Sequence, residues 1–101
     1  MIPIPVDKAL KKLGSDMREA RIKRHLTMAL VEERAGITHV TLTKVEKGDA
    51  GVSMGIYSKV LFVLGFIDNL YQLAEPDNDF IGKIYVRENL PKRVRYKKDD
   101  R

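Results

Sequence analysis

The 101-residue sequence predicts an all-α protein, a compact five-helix domain containing a helix-turn-helix and followed by a C-terminal extension. Three observations lead there. Apolar residues recur at spacings of three and four, and no stretch alternates convincingly with period two. Thr27, Thr38 and Ser53 stand where a helix needs an N-terminal cap. Gly36, Gly48 and Gly65 then follow apolar-periodic runs, where a left-handed residue ends a helix.

Taken in order, Pro3 and Pro5 make residues 1–6 an extended N-terminal arm, and Asp7 caps the first helix. Its inward positions are Leu10, Leu13, Met17 and Ala20, with Ile22 at the margin, and Lys8, Lys11, Lys12, Arg18, Lys23 and Arg24 occupy the other faces. A short second helix runs from Thr27 through Leu30, Val31 and Ala35 to Gly36. A third runs from Thr38 through Leu42 and Val45 to Gly48. Gly48-Asp49-Ala50-Gly51 is loop, and the fourth helix spans Ser53 to Gly65.

The fourth helix contains Val60-Leu61-Phe62-Val63-Leu64, which is apolar around nearly its whole circumference, whereas one core hides one stripe. The surplus face needs the following helix or a second subunit to cover it. The candidate dimer interface is therefore Val60, Phe62, Val63, Leu64, Phe66, Ile67, Leu70 and Tyr71. A fifth helix, about Ile67 to Ala74, stops short of Pro76. The helical and dimerisation domain thus covers residues 7–74 and the extension 75–101. Residues 80–89 fit a helix or a short strand. The basic run Leu90 to Lys98 reads as an extended tail, open to three roles: a solvated tail, an arm on DNA or a docking strand.

Composition narrows the function. There are no cysteines, which removes disulfides, cysteine-based metal sites and thiol nucleophiles. The two histidines, His25 and His39, do not make a metal site, and no cofactor is implied. Ser53 has no accompanying base, so capping explains it, and the Gly48–Gly51 loop lacks the phosphate-loop pattern. No constellation for catalysis is present. The apolar runs are too short for a bilayer and the N-terminus lacks a secretion pattern, so the expected location is the cytoplasm, on the nucleoid. The net charge of +5 is unevenly spread: +4 over residues 1–48, −3 over 49–86 and +4 over 87–101. Basic ends around an acidic, apolar middle fit a polyanion partner for the ends and a protein partner for the middle. An RNA role lacks the aromatic stacking platform such modules use, because no aromatic residue precedes Tyr57.

The informative segment is residues 27–48. Two short helices joined by Ala35-Gly36-Ile37-Thr38 have the spacing of a helix-turn-helix. Val31, Ala35, Ile37, Leu42 and Val45 face inward, which leaves Thr38, His39, Val40, Thr41, Thr43, Lys44 and Lys47 for solvent or a DNA groove. Hydroxyls and Lys47 suit phosphates, Lys44 and His39 can donate to guanine O6/N7, and Val40 can touch a thymine methyl. Arg21, Lys23 and Arg24 add further candidate phosphate contacts.

LGSDMREARIKRHLTMALVEERAGITHVTLTKVEKG (Leu13 to Gly48) resembles the Xre-type helix-turn-helix family, with its Cro and lambda-repressor-like domains. The resemblance implies a homodimer on a palindromic double-stranded DNA operator. It also implies a buried ion pair between Arg21 and Glu46, the latter one position past inward-facing Val45. Two positions depart from the pattern. Met28 stands among the DNA-facing positions, where many members carry a glutamine that grips a phosphate, which methionine cannot. Glu32 replaces a residue that is commonly small where the two helices approach, so it is expected to swing outward or hold them apart. GVSMGIYSKVLFVLG (Gly51 to Gly65) and LPKRVR (Leu90 to Arg95) are in addition similar to HipB-like antitoxins, which repress their own operon and bind a HipA-type Ser/Thr kinase toxin. A free-standing regulator without a toxin is the alternative.

Overall fold

The structure, a computed structural model, describes residues 1–89; the basic tail from Leu90 on, with its candidate roles, lies outside the described residues. The element order is α1 (Ile4–Lys23), α2 (Met28–Ala35), α3 (His39–Glu46), α4 (Met54–Leu64), α5 (Ile67–Tyr71), a 3₁₀ turn (Pro76–Asn78) and α6 (Phe80–Glu88). Every one of these elements is helical, as the periodicity requires.

Helix α1 starts at Ile4, three residues ahead of Asp7, which corrects the extended arm expected over residues 1–6. Pro5 lies in the first turn, where its preset φ suits a helix and its missing N–H costs nothing. The N–H groups of Val6 and Asp7 both reach the Pro3 carbonyl at 3.1 Å. Asp7 therefore sits inside the first turn, where a carboxylate complements the helix dipole, and it pairs with Lys11 at 2.8 Å. The buried positions of α1 are Gly14, Met17, Ala20 and Arg21. Ile22, the marginal inward candidate, is 47% exposed instead, one step round the helix from buried Arg21.

The caps of α2 and α4 lie where the sequence puts them. Thr27 Oγ1 accepts from the Leu30 N–H at 3.1 Å and Ser53 Oγ from the Ile56 N–H at 3.2 Å. Each such bond satisfies an amide that the helix itself cannot, worth about 1 kcal/mol. Helices α1 and α2 both pack on α3 and α4. Met17, Val31, Leu42, Val45 and Val60 seal the interior, and Ala20, Ala35, Tyr57 and Leu64 complete it.

Val60 and Leu64 are each only 2% exposed and belong to this core, so they are withdrawn from the candidate dimer interface. Val63 and Phe66, with Leu61, are half-buried and lean on the same core. Of the five-residue apolar run, Phe62 alone is exposed, at 65%. The run looked apolar all round because α2 and α1 together cover more of α4 than one stripe.

The chain divides into two compact units, Met1–Leu70 and a second that begins at Tyr71, ahead of the expected boundary at residue 75. Helix α5 is short, with Gln72 to Ala74 in a turn. In the second unit residues 80–88 are helix and not strand. Asp79 starts α6 by accepting the Gly82 N–H at 2.8 Å.

Candidate nucleic-acid interface

Helix α3 has eight residues, each turning it by about 100°. Leu42 and Val45 are fully buried and fix its inner face. The same rotation puts Val40, Thr43, Lys44 and Lys47 on the opposite, outward face, with His39 at its edge. Val40 is 63% exposed, and a β-branched apolar residue held in water that way is available to an apolar partner such as a thymine methyl.

Three devices hold this helix. At its start, Thr38 Oγ1 accepts the Thr41 N–H at 3.2 Å and donates to Thr41 Oγ1 at 3.0 Å, leaving the Thr41 hydroxyl proton free for a phosphate. At its end, the Gly48 N–H reaches the Val45 carbonyl and the Asp49 N–H the Lys44 carbonyl, both at 3.0 Å, a Schellman closure with Gly48 at φ +72°. The third device is a close backbone approach. A Cβ on Gly14 would fall 2.6 Å from both the Gly48 nitrogen and the Val45 carbonyl oxygen. A Cβ on Gly48 would run into the Leu10 carbonyl and Lys11 Cα. Neither glycine tolerates a side chain, so the main chain of α1 lies directly against the end of α3.

A buried ion pair joins the same two helices. Arg21 Nε donates to Glu46 Oε2 at 2.7 Å, Nη2 to Oε1 at 3.2 Å and Nη1 to the Leu26 carbonyl at 3.0 Å. The two side chains are 11% and 7% exposed. Arg21 is thereby withdrawn as a phosphate contact, because its guanidinium is buried and all three of its nitrogens donate inside the protein. Tyr57 adds a tie from α4, its hydroxyl donating to the Asp49 carbonyl at 2.7 Å. Burial, helped by the Asp49 charge, pushes the Tyr57 hydroxyl above its ordinary value, so it stays protonated and able to donate.

The remaining candidates divide. Lys23 is exposed and pairs with Glu19 at 3.2 Å, a contact that solvent leaves weak. Arg24 donates to the Ala20 carbonyl at 3.0 Å, and its guanidinium lies 5.1 Å from the Phe66 ring centroid. Met28 is half-buried against the core, so its side chain is withdrawn from the DNA-facing set. Glu32 does not swing out into solvent but turns toward α3. Its Oε2 sits 2.7 Å from His39 Nδ1 across the turn, with the Glu32 side chain 18% exposed and His39 66%. That contact and the role of Gly14 escaped the sequence reading. A glycine inside an otherwise regular helix was the available signal for the second.

His25 was missed in another way. It ends α1 in the left-handed region at φ 57°, the place usually held by glycine, with the Leu26 N–H closing onto the Arg21 carbonyl at 3.1 Å. Among the described residues no group of three or more His, Asp or Glu side chains could hold a metal, and no helix is long and apolar enough to cross a membrane.

Residues 17–66 match the helix-turn-helix family model, a span that runs from Met17 in α1 to Phe66, two residues past the end of α4. No curated protein and no solved structure gave a significant match. The two capped helices, the left-handed turn between them and the family match agree: residues 17–66 form a helix-turn-helix of the kind found in DNA-binding transcription regulators.

Proposed function

We propose that the protein is a homodimeric, sequence-specific transcriptional repressor that lays α3 of each subunit into successive major grooves of a palindromic operator. The observation that carries this reading is the outward face of α3. Two lysines, an apolar Val40 and threonine hydroxyls share one surface, while the helix behind it is anchored by Leu42, Val45 and the Arg21–Glu46 pair. Val40, Thr43, Lys44 and His39 read bases. Lys47, Thr38, Thr41, Lys23 and Arg24 supply phosphate contacts. Two-fold symmetry sets half-sites about 34–36 Å apart.

Dimerisation is supported by an open apolar cleft of about 410 Å³ bordered by Phe62, Ile67 and Ala35, with Arg34 and Lys59 at its rim. Phe62 and Ile67, at 65% and 39% exposure, give this cleft an apolar wall open to a partner. Leu70 ends the first unit within the same candidate interface, and Tyr71, the first residue of the second unit, is exposed. The test is a footprint on the DNA upstream of the gene, repeated across salt concentrations. A protected pair of half-sites and a steep salt dependence are expected, and protection without base preference would sink the reading.

Within that role, the HipB-like antitoxin reading rests on the Gly51–Gly65 and Leu90–Arg95 segments. It draws support from α6, whose Phe80, Ile81, Tyr85 and Val86 are exposed in the manner of a surface that a protein covers. Co-purification with a kinase encoded next door decides between it and a free-standing regulator.

A further inference from the structure

Helix α3 opens on His39, and the N-terminal residues of a recognition helix are the ones that reach base edges. What His39 can read there depends on where its proton sits. Its Nδ1 lies 2.7 Å from Glu32 Oε2, and a carboxylate only accepts. The shared hydrogen must come from Nδ1. In a neutral imidazole that leaves Nε2 with a lone pair and no proton. The ring is 66% exposed, whereas its partner is 18% exposed, so half-buried Glu32 is the anchoring end and Nε2 the free end. The sequence reading treats His39 as a donor to guanine. With Nδ1 committed to Glu32, neutral His39 is an acceptor.

We propose that Glu32 is a positioning residue for specificity: it fixes the His39 tautomer so that Nε2 selects a base presenting an exocyclic amino group in the major groove, cytosine N4 or adenine N6. This rests on α3 entering the major groove. It assigns Glu32 a task that touches no DNA, since the carboxylate acts only through the ring. Orientation follows as well as protonation, because an imidazole held at one nitrogen points its other nitrogen along a fixed line, outward from the turn.

The experiment has two arms. In the free protein, nitrogen-15 spectra of the His39 ring, taken where the ring carries a single proton, should show Nδ1 protonated and Nε2 bare; a protonated Nε2 with bare Nδ1 would overturn the proposal, and no variant is needed to see it. In the second arm, wild type, Glu32→Ala, Glu32→Gln and His39→Ala each select from a pool of random duplexes. Wild type should prefer cytosine or adenine at one position of each half-site by about ten-fold, the discrimination one hydrogen bond supplies. Glu32→Ala should lose that preference at that position alone, with an unchanged slope of affinity against salt, since no phosphate contact is touched. Glu32→Gln, whose carbonyl oxygen still accepts from Nδ1, should keep most of it. His39→Ala should erase it. Selection by Glu32→Ala identical to wild type would overturn the proposal. A wild type with no base preference anywhere would instead overturn the major-groove reading beneath it, even with the ring tautomer as expected.

Discussion

Replacing Arg21 by methionine keeps the length and apolar stem of the side chain but strips Glu46 of both its N–H donors and the Leu26 carbonyl of one. Glu46 is then a carboxylate at 7% side-chain exposure with no cation to face. Stranding one member of a buried pair costs about 3–5 kcal/mol, much of it the desolvation of the charge left behind. Small domains have about 5–15 kcal/mol in total, so a fall in melting temperature on the order of 20 °C should follow. Urea unfolding followed by far-UV circular dichroism measures the loss. The companion variant Arg21→Met with Glu46→Met removes both charges and should recover most of it, giving a coupling of about 2 kcal/mol or more. A loss below about 1 kcal/mol in the single variant, the value of an exposed pair, would refute the reasoning; so would simple additivity in the double. The same single variant, assayed cold enough to remain folded, should keep the wild-type salt dependence on DNA, because Arg21 holds Glu46 and not phosphate.

Lys44→Ala should weaken operator binding by about 1–3 kcal/mol and relax one base position, whereas Lys12→Ala, on an exposed residue paired with Asp16, should do neither in a competition assay. Lys47→Ala should weaken binding to all sequences alike and lower the salt slope by about 0.9. Gly48→Ala should cost about 2–4 kcal/mol in thermal unfolding, from the φ of +72° and from overpacking against Leu10 and Lys11. A loss within experimental error would show that α1 and α3 are free to part. His25→Gly should stabilise by about 1 kcal/mol by relieving the left-handed strain. Because the Tyr57 hydroxyl is raised in the folded state, its contribution is whole below the ordinary tyrosine range near 10. It is lost as pH climbs through the folded value, and Tyr57→Phe should flatten that alkaline limb of a stability-against-pH curve.

The helix-turn-helix was legible because each boundary had a local chemical cause. Thr27, Thr38 and Ser53 cap through their own hydroxyls, and Gly36 and Gly48 end helices by their own φ. Those causes act over three or four residues and can be read from one strand of text. The start of α1 was misplaced because two rules compete at Pro3 and Pro5. Proline favours extended chain before it and a first helical turn at it, and the turn won. The site was legible where it follows helical rotation: Val40, Thr43, Lys44 and Lys47 lie opposite Leu42 and Val45. It was illegible where two segments meet. Nothing local to Glu32 tells that His39, seven residues on, takes its carboxylate, and nothing local to Arg21 shows that Glu46 and the Leu26 carbonyl engage all three of its nitrogens. The apolar run of α4 misled for the same reason, since burial of Val60 and Leu64 is a property of what surrounds them.

The contact between Gly14 and Gly48 has a consequence for how such a domain changes over generations. The angle at which α3 stands out from the body is set by main chain lying on main chain, with Leu42 and Val45 behind it, and by none of the side chains on its outer face. Presentation and content are thus stored in separate residues. Val40, Thr43 and Lys44 can be exchanged for a different reading set while the mount stays as it is, which makes this helix a replaceable printing face on a fixed press. If α3 reads DNA as proposed, a new operator is reachable by a handful of surface substitutions, each near-neutral for folding, whereas a single methyl group added at the mount would spoil every operator at once.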